Sequence, residues 1–328
     1  MKLNTIFELS MILDTEKFQK IFDMTYNKTG YLKEVDDEYL DTSLMEKGIT
    51  VICRDSQDKK RIRLLINLSL VVDDPSDTDK LLRKLDKRIG KYFNFKFSIN
   101  DFTLSGLNLI TDIDVGSWEN VAAYLKVLQR VSKIKGFSPA SYDGIDENSS
   151  FCLSGNSNAI DFLLYDLEQS FADQLRDSGM DHKKIKTASS YTQGILRAEV
   201  KLTKPKAVRA YTNAKDTAGQ IVELITDRQQ IFLDTFARIV PFGDFYKKNA
   251  AVEIIWKEVK DAIMRRKMLR LLTLIPEKKS VLLAQKAMNC RDVEKVMDAF
   301  AKINLSPVTI SKRHDVKRLE NLYSYFLK

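Results

Sequence analysis

Strict alternation in two short segments constrains this chain more than any other feature. In residues 109–116 (LITDIDVG), Asp112 and Asp114 stand two apart, while Ile113 and Val115 take the intervening positions. In residues 195–202 (ILRAEVKL), Arg197 and Glu199 alternate with Ala198 and Val200. Successive side chains of a strand point to opposite faces, so each segment reads as a strand with one apolar and one charged face. Acids are scarce inside strands, and two on one face repel unless a cation lies between them. A third segment, residues 151–168 (FCLSGNSNAIDFLLYDLE), reads as a hairpin turning at Gly-Asn-Ser-Asn and ending its second strand in Tyr165. Acids, an arginine and a phenol thus fall on separate strands of one sheet.

Further strands are expected at residues 2–13, 49–54 and 61–72, with the turn SQDKK (residues 56–60) between the last two. Helices are expected after Asp74-Pro75-Ser76, after a cap at Ser117, and over residues 166–178. Residues 135–150 read as a loop. The pattern predicts an α+β fold, a mostly antiparallel sheet with flanking helices and a βαβ unit. It ends near Lys215, giving one domain over residues 1–215 and an all-helical one over residues 216–328. In the second domain, helix breaks are expected at Pro241-Phe242-Gly243, Ile275-Pro276 and Ser306-Pro307. The strand–helix stretches before and after Ser150 suggest an internal duplication.

The net charge of +8 is concentrated at one end. Residues 261–328 carry 15 Lys and Arg against 7 Asp and Glu, whereas residues 1–260 carry 38 of each. A basic end on a neutral body suggests a polyanionic partner, because neutralising phosphates releases counterions. Short helices with Lys312, Arg313, Lys317 and Arg318 clustered among them look like a helix-turn-helix-type module for DNA. No apolar run is long enough to span a membrane, and the first residues do not read as a signal peptide. The three cysteines are far apart and odd in number, which suits a reducing cytoplasm. The two histidines are isolated and no phosphate-binding glycine loop is present, so a histidine-paired metal site and a P-loop ATPase are excluded.

The chemistry these residue types suit is phosphodiester transfer. A tyrosine oxygen can attack the phosphate and leave again, so the phosphotyrosine linkage conserves the bond for rejoining. Carboxylate oxygens on a strand suit a divalent cation, and an arginine binds phosphate oxygens bidentately.

These three segments resemble those of rolling-circle replication initiators, in the branch with staphylococcal-type plasmid initiators and filamentous-phage replication proteins. The family's R-I-D-like strand is matched at Asp114. Its hairpin ending in a Y-[DE]-K-like element is matched at Tyr165 and Asp166, and its R-x-E-x-x-L-like strand at Arg197, Glu199 and Leu202. Order and spacing agree over roughly residues 100–215. The resemblance implies an origin-specific DNA nicking and joining enzyme of a plasmid, phage or other mobile element. Tyr165 would be the nucleophile, Asp114 and Glu199 with Asp112 the ligands of Mg²⁺ or Mn²⁺, and Arg197 the phosphate clamp. The expected partners are single-stranded or cruciform origin DNA, a second copy in a homodimer and a host helicase. Two departures remove cations: Asp112 stands where the family has arginine, and Leu167 where it has lysine. The alternatives are a conjugative relaxase, a non-catalytic DNA-binding regulator on the same fold, and an interaction protein whose charged strands merely face solvent.

Overall fold

The structure is a computed structural model and describes residues 1–29, 33–35, 38–56 and 60–327. Ten strands form one sheet: β1 (Asn4–Leu13), β2 (Lys33–Val35), β3 (Glu38–Asp41), β4 (Ile49–Asp55), β5 (Lys60–Asn67), β6 (Thr103–Asp114), β7 (Phe137–Pro139), β8 (Ser150–Gly155), β9 (Ile160–Asp166) and β10 (Ile195–Leu202). Their order across the sheet is β2-β3-β4-β5-β1-β6-β10-β9-β8-β7. All pairings within it are antiparallel. The expected βαβ unit is therefore corrected. The helices Leu167–Asp177 and His182–Ser189 join β9 to β10, yet these strands are antiparallel neighbours. Residues 4–67 and 103–202 each open with a strand and a helix, and the two opening strands, β1 and β6, pair at the centre of the sheet.

The sequence pattern dictates a one-sided sheet. Phe7 and Leu9 of β1, Ile62, Leu64 and Ile66 of β5, and Leu196, Ala198 and Val200 of β10 are almost completely buried in one continuous core. The helices Thr78–Tyr92, Trp118–Leu128 and Thr217–Ile239 contribute to the same core. The other face is polar. Across β1, β3, β4 and β5 it carries the ion-pair chain Glu8–Arg63–Glu38–Arg54.

Several local expectations need correction. β5 stops at Asn67, whose side chain accepts from the Ser69 backbone N–H and caps a short helix, Leu68–Val71, so Leu70 is exposed rather than a strand residue. Residues 57–59 of the expected turn lie outside the described residues. Helix Ala262–Lys278 runs through Pro276. A proline forfeits one backbone hydrogen bond, and so close to the helix end only its last turn feels the loss. Lys279 then closes the helix in the left-handed region.

Beyond residue 215 the chain shares its core with the sheet. Phe236 of the long helix meets Phe162 of β9 with ring centroids 5.8 Å apart, and it also contacts Tyr323 at 5.1 Å and Phe326 at 4.9 Å. Sheet, long helix and C-terminal segment are thus packed through one ring. Phe236→Ala should lower stability by about 3–5 kcal/mol in a single cooperative urea transition, without a change of slope. Two separate transitions would show that the helical part folds independently of the sheet.

Candidate functional site

The charged face of β9, β10 and β6 is organised in rows. Tyr165, Arg197 and Asp112 lie opposite one another, then Leu163, Glu199 and Ile110, then Asp161, Lys201 and Asn108. Period-2 alternation puts all nine on one face. The register is held at the strand ends. The Val115 N–H donates to Gly194 O at 2.9 Å. Gly194 has φ +77°, and a Cβ there would lie 2.9 Å from the Gly116 carbonyl carbon, so only glycine lets these two turns meet.

At the centre, the Tyr165 hydroxyl donates to Glu199 Oε1 at 2.5 Å. Both residues are buried, at 7 % and 5 % exposure. Glu199 Oε2 accepts from Asn108 Nδ2 at 2.9 Å and lies 3.2 Å from Lys201 Nζ. Burial and the Glu199 carboxylate hold the Tyr165 phenol far above its ordinary 10.0, and Arg197 partly offsets them. Arg197 is bidentate to Asp112, with Nε–Oδ1 2.7 Å and Nη2–Oδ2 2.9 Å. That bond above all raises the guanidinium pKa further. Asp166 caps the following helix through the Glu168 and Gln169 N–H groups, and burial raises its pKa.

The three expected metal ligands are placed differently. Asp112 gives both oxygens to Arg197, and Glu199 is occupied by Tyr165, Asn108 and Lys201. Asp114, exposed at the strand end, accepts from the Gly116 N–H at 2.9 Å. Among the described residues, no group of three or more His, Cys, Asp or Glu side chains is arranged to hold a metal ion. As arranged, Asp112 and Glu199 have both oxygens engaged by protein donors, whereas Asp114 has one.

Asn108, Asp161 and Tyr142 were not legible as site residues. Asn108 lies four positions before Asp112 on the same strand face, and Asp161 four before Tyr165, which is the signal that would have found them. Tyr142 and Ile145 pack on a small apolar cluster of Cys152, Leu163, Tyr165 and Leu167 on the polar side of the sheet. The Tyr142 ring also lies under the Lys201 ammonium, 5.7 Å from its centroid.

The basic cluster near the C-terminus is not helical. Helix Val293–Lys302 ends before it, and helix Ser324–Leu327 begins after it. The expected helix-turn-helix presentation of these residues is therefore corrected. Lys312, Arg313 and Lys317 are exposed. Arg318 lies in a short strand, β12 (Arg318–Leu319), paired with β11 (Phe245–Tyr246), and its Nη2 is 2.7 Å from buried Asp244. Asp244 also accepts from the Asn321 N–H at 2.8 Å, so Arg318 helps to anchor the C-terminal segment.

No family model, curated protein or solved structure matches this chain. No described helix is long and apolar enough to cross a membrane.

Burial pushes the Cys53 thiol from its ordinary 9.0 up to about 12 and Cys152 up to about 11. An unfolded chain releases these protons first, so the stability they contribute is complete below pH 9.0 and disappears as pH rises through about 11–12. In the folded protein, half-buried Cys290 should react with a thiol reagent well before buried Cys53 and Cys152. Rapid labelling of Cys152 would mean that the cover of Tyr142 and Ile145 opens readily.

Proposed function

We propose that this protein cuts and rejoins single-stranded DNA at a replication origin through a phosphotyrosine intermediate on Tyr165, starting rolling-circle replication of a mobile element. The observation that carries this reading is the 2.5 Å hydrogen bond from the Tyr165 phenol to Glu199, with Arg197 directly across the strand pair. A phenol is a weak nucleophile while it keeps its proton, and a carboxylate at hydrogen-bond distance is a base in position to take it.

In the proposed step, the phenol oxygen bonds to phosphorus while its proton passes to Glu199. The bond from phosphorus to one sugar oxygen breaks, and that oxygen takes up a proton. The reverse reaction rejoins the strand. Arg197 and Lys201 face the negative phosphoryl oxygens, the role that preorganised cations fill in phosphoryl transfer. A phosphate reaches the phenol when Tyr142 and Ile145 move off it. A conjugative relaxase would use the same chemistry.

One observation favours a second reading, a regulator that binds the same DNA without turnover. Tyr165 is only 7 % exposed, and its environment disfavours the phenolate.

Incubation with single-stranded origin DNA, with and without Mg²⁺ or Mn²⁺, followed by denaturing electrophoresis separates the two. The strand-transfer reading predicts a covalent adduct that Tyr165→Phe abolishes and Glu199→Gln slows about 10²–10⁴-fold. An adduct that survives Tyr165→Phe contradicts it. Salt-sensitive binding with no adduct supports the regulator.

A further inference from the structure

A cleft of about 640 Å³ opens where the β8–β9 turn meets the end of β10 and the long helix. Asn156 and Asn158 of the turn, Lys204 and Lys206 just after β10, and Tyr211 and Arg238 are among its lining residues. Lys204, Lys206 and Arg238 are exposed, and among the described residues none of them forms an ion pair. The contrast with Arg197, Lys201 and Arg318, each held by a carboxylate, is direct. The acid in the cleft wall, Asp161, accepts from Ser154 Oγ at 2.7 Å and lies opposite Lys201 on β10, so it is engaged on the sheet. Three cations from two separate elements therefore face a cleft that holds little compensating charge.

We propose that this cleft binds the phosphodiester backbone of a single-stranded nucleic acid and leads it toward Tyr165. Converging cations beside an aromatic wall are the elements of a single-strand groove, and half-buried Tyr211 supplies the ring. The cleft has the volume of a small-ligand site, enough to admit a short stretch of one strand. Its direction follows from β9. Asp161 and Tyr165 share one face four residues apart, about 13 Å at the usual rise of a strand. The row of Asp161, Lys201 and Asn108 forms the polar floor at the cleft end of that path. That the path ends at the phenol rests on the strand-transfer reading, whereas strand binding in the cleft does not.

The test measures binding of a labelled mixed-sequence single-stranded oligonucleotide to the full chain by fluorescence anisotropy across a salt series. Lys204→Glu combined with Lys206→Glu is expected to weaken binding about tenfold or more and to make the slope of log affinity against log salt shallower by about 1.4, the value for two lost phosphate contacts. Arg238→Gln is expected to weaken binding in the same direction. Both lysines are exposed, and an unchanged circular dichroism spectrum is the control that the variant is folded. Unchanged affinity in the double variant overturns the proposal, as does a loss confined to Lys312→Glu with Arg313→Glu. Equal affinity for a single nucleotide and a longer strand overturns it too, since the cleft would then be a small-anion site. If strands bind through the cleft but no adduct ever forms, the strand-transfer reading fails and the groove stands. If adducts form normally while the cleft variants keep full affinity, the groove fails and strand transfer stands.

Discussion

Leu109, Ile113, Phe162, Leu164, Leu196, Ala198 and Val200 are buried on one side of the sheet, and their alternation forces Asp112, Asp161, Tyr165, Arg197, Glu199 and Lys201 to the other. A slip of one residue would exchange the two sets. It would expose side chains whose burial contributes about 1.5–3 kcal/mol each for the larger ones, and it would drive charges into the core. Core packing therefore sets the register of β6, β10 and β9, and that register alone brings a phenol, a carboxylate and a guanidinium from distant parts of the chain together on one patch of the sheet. The meeting of Gly116 and Gly194 at the strand ends pins the same alignment.

On the polar face, charge is balanced locally. Arg197 neutralises Asp112, while Lys201 and Asn108 support Glu199. A buried carboxylate needs such partners, and the arrangement explains why these acids are held as ion pairs rather than opened toward a cation. Glu199 keeps one oxygen for the Tyr165 phenol, so the buried pair is a satisfied structural element, and on the strand-transfer reading it is also a nucleophile beside its base. On that reading the two roles differ in access, and Tyr142 and Ile145 are packed against the cluster that holds Tyr165.

The strands carrying the site were legible because their alternation is strict. Residues 195–202 form a strand with the ends that the alternation predicts, and the faces of Ile113, Val115, Ala198 and Val200 follow from period 2. The cap at Ser117 was legible for a local reason, since its hydroxyl accepts a backbone N–H of its helix. What depends on distant contacts was not legible. Nothing local says that Arg197 would turn to Asp112 across the sheet, nor that β9 and β10 would be antiparallel neighbours despite the helices between them. The basic C-terminal cluster reads as part of a module of short helices and tight turns, but pairing of residues 318–319 with 245–246 and the buried Asp244 hold part of it extended.

The central claim, that Tyr165 is the attacking group of this cluster, is tested most directly by locating the attachment. After incubation with an origin strand and proteolysis, mass spectrometry should find the nucleotide mass on the peptide containing Tyr165 and on that tyrosine. Attachment to the neighbouring Tyr142, or to a tyrosine of the C-terminal segment, would contradict it.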